Sequence, residues 1–293
     1  MNDHQRVDGW ASTTIAAGNR AIHLVEAGGG SPVLMLHGGG PGASGVSNYS
    51  RNIAALARRF RVLVPDLPGY GKSDKALSRT DPFGDLAESM LGLLDALGVR
   101  RAAVVGNSLG GACALRMALE RPDRVSRLVL MGPGGIGTSR SLPTPGLRRL
   151  FGYYEGDGPT IEKMRAFIRD DLVYDGRAIP DDVIRTRFES SIDREVVANP
   201  PLRRPRGLSA LMRMDLTRDP RLTGLRTPTL VLWGTDDRVN RPNGGRMLQR
   251  RMPNCDLHLF SRTGHWVQWE RAEEFNAVTT AFLSQQDSRA ITQ

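Results

Sequence analysis

Residues 104–111 read VVGNSLGG, and this stretch decides the fold. Gly106, Ser108 and Gly110 form G-x-S-x-G between an apolar run, AAVVG (102–106), and a segment of helical spacing, SLGGACALRMALERP (108–122). A serine on so sharp a strand-to-helix turn leaves no room for side chains two residues before or after it, which accounts for both glycines. A glycine-rich turn with serine as a helix N-cap would read the same way, so the motif needs partners elsewhere in the chain.

Working outward, short β-type runs alternate with helical patterns. The runs are AIHLVEAG (21–28), VLMLH (33–37), RVLVPD (61–66), AAVVG, RLVLMG (127–132), TLVLWG (229–234) and DLHLF (256–260). The helical patterns include NYSRNIAALARRF (48–60), DLAESMLGLLDALG (85–98) and the closing RAEEFNAVTTAFLSQ. Alternation of this kind predicts an α/β domain with a mostly parallel central sheet and helices on both faces, and the almost continuously apolar runs fit strands covered on both sides. The rhythm breaks after residue 133, where IEKMRAFIRDDLVYDG (161–176) and PDDVIRTRFESSIDREVVAN (180–199) follow one another with no strand between them. The expected organisation is a core at 1–133 and 227–293 with a helical lid inserted at 134–226. The last residues, DSRAITQ, are expected to be loose.

A serine is a poor nucleophile until a histidine takes its proton and an acid holds that histidine. Five histidines are available. His4 lies near the terminus, His23 and His258 fall inside strand patterns, and His37 ends the second strand; His265, in SRTGHWVQWE, follows the last strand in a loop, where a parallel sheet presents a base at its carboxyl edge. The loop WGTDDRVN (233–240) offers Asp236 and Asp237, with Asp237 preferred. The resulting order, Ser108, Asp237, His265, is that of serine hydrolases built on a G-x-S-x-G elbow. In such a site two backbone N–H groups stabilise the oxyanion. One belongs to the residue after the nucleophile, Leu109, and the other to a glycine loop after an early strand, here HGGGPGASG (37–45), with Gly39 as donor. The segment GKS (71–73) raises a nucleotide reading, but the glycine a phosphate loop needs five residues earlier is Asp66.

The 293 residues suffice for one large or two small domains, 40% are hydrophobic and 24% charged, and no run is apolar enough to span a membrane. The N-terminus has no secretory pattern, so the cytoplasm is the expected location. The net charge is +9, yet 37 of the 40 basic residues are Arg and they are scattered, which favours attraction of an anionic small molecule over nucleic-acid binding. Two cysteines, Cys113 and Cys255, make no framework.

Together HGGGPGASGVSNYSRN (37–52), PDLPGYGKSDK (65–75), VGNSLGG (105–111), LVLMGPGG (128–135), WGTDDRVN (233–240) and GHWVQWERAEEFN (264–276) resemble the meta-cleavage product hydrolases, carbon–carbon bond hydrolases of aromatic and steroid ring degradation, and lean toward their biphenyl and steroid branch. The resemblance implies the α/β-hydrolase fold and hydrolysis of a 2-hydroxy-6-oxohexa-2,4-dienoate. It implies Ser108, Asp237 and His265 as the triad, and Gly39 and Leu109 as oxyanion amides. Gly38, Asn48, Asn107 and Trp266 would contact the dienoate end, and Arg187 its carboxylate, with Arg185 and Arg194 as the other candidates on that segment. It implies neither cofactor nor metal, an anionic small-molecule partner, no nucleic-acid or membrane partner, and a homodimer or homotetramer. A carboxylesterase or proline iminopeptidase of the same fold, or a ligand receptor on a hydrolase scaffold, are the competing readings.

Overall fold

The computed structural model describes residues 5–7, 10–205 and 207–285. Among these, nine strands form one sheet: β1 (Gln5–Val7), β2 (Trp10–Ala17), β3 (Arg20–Ala27), β4 (Ser31–Leu36), β5 (Phe60–Pro65), β6 (Ala102–Asn107), β7 (Val125–Met131), β8 (Thr229–Gly234) and β9 (Cys255–Phe260). Their spatial order is β1-β2-β3-β5-β4-β6-β7-β8-β9, antiparallel from β1 to β5 and parallel from β5 to β9. The chain leaves β4 toward β5 on one side and β6 toward β7 on the other, and the loops beyond those two strands part at their carboxyl ends to open a crevice.

Successive strand residues point to opposite faces, so each apolar run feeds two cores. Leu34, Leu36, Val104, Leu128, Leu130 and Val231 pack on α3 (Pro82–Ala96) and α4 (Leu109–Glu120), while Val33, Met35, Val105, Val129, Met131 and Leu232 pack beneath α1 (Gly45–Tyr49), α2 (Ile53–Ala57) and the C-terminal helices. Between β7 and β8 the chain is helical: α5 (Pro145–Phe151), α6 (Ile161–Ala166) continuing as a π-helical turn (Phe167–Leu172), α7 (Asp181–Ser191), α8 (Arg194–Ala198) and α9 (Leu208–Arg213). This segment has its own apolar cluster, including Tyr153, Met164, Phe167 and Ile184, into which Val239, Trp266 and Trp269 reach from the sheet domain. After β8 come α10 (Asn243–Arg251), and after β9 α11 (Val267–Glu270) and α12 (Ala272–Leu283).

The structure departs from the sequence reading in three places. The sheet gains β1 and β2, which precede the first expected strand; WASTTIAA carries few large aliphatics and pairs antiparallel with β3 across a turn where Gly18 has φ +63°. The expected helix at 48–60 is two short helices, and Phe60 already belongs to β5. Asn52 marks the break, its side-chain amide donating to Gln268 O and Asn276 Oδ1, both at 2.9 Å. Finally β9 is an edge strand with Leu259 and His258 exposed rather than covered on both faces. Residues 287–293, expected to be loose, lie outside the described residues.

Candidate active site

Ser108 sits between β6 and α4 with φ +51° and ψ −112°, a conformation that non-glycine residues rarely hold. The sequence enforces it. A Cβ on Gly106 would strike the backbone of Gly110, and one on Gly110 would strike the carbonyls of Leu36 and His37. Only with both glycines can α4 start this close to β4 and β6. The turn is fixed further by the Ser108 N–H donating to Met131 O at 2.9 Å and by Gly134 N–H donating to Ser108 O at 2.8 Å. As the first residue of α4, Leu109 carries an N–H that the helix itself cannot satisfy.

The loop after β4 lies alongside. His37 is fully buried and accepts the Leu67 N–H at Nε2 (2.8 Å), which leaves Nδ1–H to donate to Gly38 O (2.8 Å). Burial lowers its pKa to about 4, so the imidazole is neutral near pH 7. Because the peptide is planar and trans, fixing the Gly38 carbonyl also fixes the Gly39 N–H on the opposite side. Tyr70 Oη donates to Gly39 O at 3.0 Å, and a Cβ on Gly39 would lie 3.0–3.1 Å from the Leu109 side chain. The glycine run is also what lets this loop pass under the helical segment. A Cβ on Gly40 would come 2.7 Å from Arg187 Nη2, and one on Gly42 would strike the Arg187 backbone.

Asp237 and His265 meet in the loops after β8 and β9. His265 Nδ1 donates to Asp237 Oδ2 at 2.7 Å, and the same oxygen accepts Trp233 Nε1–H at 3.0 Å. Oδ1 accepts the N–H groups of Val239 and Asn240, both at 2.8 Å. Four donors hold one buried carboxylate, and its bond to Nδ1 puts the free lone pair of the histidine on Nε2. That Nε2 is buried without a hydrogen-bond partner and lines a small cavity with Ser108. Among the described residues the Asp236 side chain bonds only the neighbouring Thr235 hydroxyl, near the surface.

Two cavities meet at Ser108. The small one, about 20 Å³, is lined by Gly38, Gly39, Gly40, Asn48, Asn107, Arg187, His265 and Trp266 among others. Asn48 Oδ1 accepts Trp266 Nε1–H at 3.0 Å, which leaves Asn48 Nδ2 buried and unpartnered. Arg187 donates from Nε to Pro41 O at 3.0 Å, its Nη1 is buried with no partner, and its guanidinium stands 5.3 Å from the Trp266 ring. Burial lowers the Arg187 pKa to about 10, with Tyr153, Tyr154 and Tyr70 pulling the other way. Two sets of unpaired N–H donors thus converge on one enclosed space, the arrangement an anionic ligand would satisfy. Arg185 is exposed, and neither it nor Arg194 lines this cavity. The large cavity, about 750 Å³, shares Gly39, Ser108, Leu150 and Val239 with the small one and extends past Phe83, Leu147, Leu211, Met214 and Met247 to a rim bearing Arg140, Arg204 and Arg241.

Of the preferred site residues, Gly38, Gly39, Asn48, Asn107, Ser108, Leu109, Arg187, His265 and Trp266 line one or both cavities, and Asp237 stands one hydrogen bond behind, through His265. What sequence reasoning missed is the supporting set: Trp233 behind Asp237, Tyr70 and His37 behind Gly39, and Phe167 against Gly40. None carries a motif signal of its own, because each acts through a neighbour. A second Ser–His–Asp arrangement exists, Ser12 Oγ to His23 Nε2 at 2.8 Å and His23 Nδ1 to Asp66 Oδ2 at 2.9 Å, but neither Ser12 nor His23 lines either cavity. Asp66 there also accepts the N–H groups of Gly45 and Lys72, so GKS is a turn wrapped on a carboxylate.

The sequence profile of the alpha/beta hydrolase family matches residues 33–278. Over 273 residues the chain is 42% identical to 2-hydroxy-6-oxo-6-phenylhexa-2,4-dienoate hydrolase of Burkholderia cepacia, covering 91% of this chain and 92% of that protein. Over 272 residues it is 39% identical to 2-hydroxy-6-oxononadienedioate/2-hydroxy-6-oxononatrienedioate hydrolase of Comamonas testosteroni, again covering 91% and 92%. Among solved structures, the meta-cleavage product hydrolase of Pseudomonas fluorescens IP01 superposes with a TM-score of 0.82 at 32% identity, covering 92% of this chain and 96% of that one.

Proposed function

The chain belongs to the alpha/beta hydrolase family and, within it, to the meta-cleavage product hydrolases, and from that premise we propose that it hydrolyses the carbon–carbon bond of a 2-hydroxy-6-oxohexa-2,4-dienoate from aromatic ring degradation. One observation carries the reading to these residues: a small, enclosed, donor-lined cavity and a large, mostly apolar one meet at a single strained serine. A dienoate has the matching asymmetry, with a carboxylate and enol at one end and an acyl group at the other.

In this reading the carboxylate pairs with Arg187, the dienol is held by Asn48, Asn107 and Trp266, and the acyl group enters the large cavity under residues 134–226, which act as the lid. The dienol first ketonises, its C2 hydroxyl losing a proton as C5 gains one, which creates an electron sink. His265 then takes the Ser108 proton while Ser108 Oγ adds to the C6 carbonyl, and the Gly39 and Leu109 N–H groups stabilise the oxyanion. When the C5–C6 bond breaks, its electron pair passes along the unsaturated ketone to the C2 oxygen, which takes up the proton His265 gives back, so that 2-hydroxypenta-2,4-dienoate leaves and His265 is again a free base. Water, deprotonated by His265, then releases the acid from Ser108. Asp237 keeps His265 in the tautomer this requires.

The acyl substituent can be aryl, against the apolar wall, or a chain ending in a carboxylate, which Arg140, Arg204 and Arg241 at the rim would favour; among the described residues no carboxylate side chain lines that cavity. The test is a stopped-flow absorbance trace with the 6-phenyl dienoate, wild type beside Ser108→Ala. Loss of the dienolate colour with benzoate release by wild type alone supports the reading. Wild type that spares the dienolate yet cleaves p-nitrophenyl esters refutes it.

A further inference from the structure

Glu270 ends α11, touches neither cavity, and has a half-buried carboxylate whose two oxygens are both engaged. Oε1 accepts the Gly264 N–H at 2.8 Å, and Oε2 accepts the Tyr174 N–H at 2.7 Å. These donors belong to different parts of the fold. Gly264 directly precedes His265, whereas Tyr174 follows the π-helical turn of the segment between β7 and β8. The two strips of backbone already touch: His265 N–H donates to Leu172 O at 2.9 Å, and a Cβ on Gly264 would stand 2.7 Å from the Val173 carbonyl carbon. Glu270 spans the seam between them.

We propose that Glu270 is a positioning residue: ionised, it clamps Gly264 to Tyr174 and thereby fixes the reach of His265 toward Ser108, and protonated, it lets one side of that clamp go. A carboxylate accepts from both N–H groups, whereas in a carboxylic acid one oxygen carries a proton and must find an acceptor instead. The groups acting on Glu270 are few. Asp237, from the loop after β8, opposes its ionisation, and His265 favours it. Arg262 lies 5.7 Å from the Tyr174 ring, and Arg271, the next residue in the chain, is turned to Glu274 and to Ser261 O. Burial is the largest influence and pushes the Glu270 carboxyl up to about 7, against the pull of its two backbone donors, so the clamp changes state near neutral pH.

The inference rests on the hydrolase reading for its kinetic assay and has a second readout that does not. Kinetics of the 6-phenyl dienoate would be followed for wild type and Glu270→Gln from about pH 5.5 to about 9, with dienoate affinity measured in the Ser108→Ala background. At about pH 8 the glutamine, whose amide N–H₂ faces one of the two donors, should lower kcat by about 10-fold or more while dienoate affinity moves less than about 3-fold, and the limb near pH 7 should flatten. Unchanged kcat with the wild-type limb overturns the proposal, as does an equal loss of kcat and affinity. Thermal unfolding is the second readout. The folded-state pKa lies above that of an unfolded glutamate, so the folded wild type binds the extra proton and loses stability as pH rises toward about 7; glutamine has no such loss. The Tm of Glu270→Gln relative to wild type should therefore rise between about pH 5 and about 8, and a flat difference refutes the clamp's titration. Wild type that does not turn over the dienoate sinks the hydrolase reading and leaves the Tm comparison to judge Glu270.

Discussion

Replacing Arg187 with Met should weaken dienoate binding and spare, or slightly raise, the stability of the fold. The side chain is 3% exposed, its Nη1 has no partner, and burial holds its pKa at about 10. At about 1.4 kcal/mol per pKa unit, keeping the guanidinium charged in that place costs the free protein about 3 kcal/mol. Because the folded-state value lies below the ordinary one, that cost is present in full at any pH below about 10. A bound carboxylate offsets it with two charge-assisted hydrogen bonds worth about 1.5–3 kcal/mol each, so losing them should raise KM for the dienoate by about 10²-fold or more. Removing the buried charge returns up to about 3 kcal/mol of stability, less about 1–3 kcal/mol for the Pro41 carbonyl left without its donor, a net change between none and about 2 kcal/mol in favour of the variant. Steady-state kinetics with the dienoate, turnover of a neutral p-nitrophenyl ester and urea unfolding would be measured on the same preparation. Ester turnover should stay within about 3-fold, since no carboxylate is involved. A KM that moves less than about 3-fold, or a stability loss beyond about 2 kcal/mol, would refute the assignment and make Arg187 a structural tie between α7 and the glycine loop.

Asp237→Asn turns an amide N–H₂ against one of four donors and should lower kcat by about 10⁴-fold, whereas Asp236→Asn should change it by less than about 2-fold; steady-state rates of the two variants decide between the neighbours. Exchanging Arg140, Arg204 and Arg241 together for Gln should lower kcat/KM about 10-fold more for a nonadienedioate than for the 6-phenyl substrate, and added salt should shrink the difference, because exposed charges are screened. Equal effects on both substrates would show that the rim does not read the acyl end. Gly110→Ala should cost about 1–3 kcal/mol or more, read as a lowered Tm, because its methyl meets the carbonyls of Leu36 and His37 and must part α4 from β4.

Local signals served well wherever a residue's job is set by the backbone beside it. Gly106 and Gly110 flag the elbow from sequence because no other residue fits the turn at Ser108, and the alternating apolar runs flag a sheet covered on both faces. They misled where long-range partners override the pattern. Helical spacing continues from residue 48 to 60, but Asn52 finds its partners in Gln268 and Asn276, more than two hundred residues away, and the helix breaks.

The sequence by itself determined the fold class and suggested the order serine, acid, histidine and the glycine loop, since each reading depends on local sterics or on position along the chain. The sequence preferred Asp237 to Asp236, and tertiary structure supplies a physical reason for that preference. The two are chemically alike and adjacent, and only the fold shows that Trp233, Val239, Asn240 and His265 converge on the second. The same holds for Arg187 against Arg185, two residues apart on α7. Helical geometry turns one into the cavity beneath Pro41 and leaves the other in solvent, and burial alone makes the first a costly, unpaired charge suited to a carboxylate.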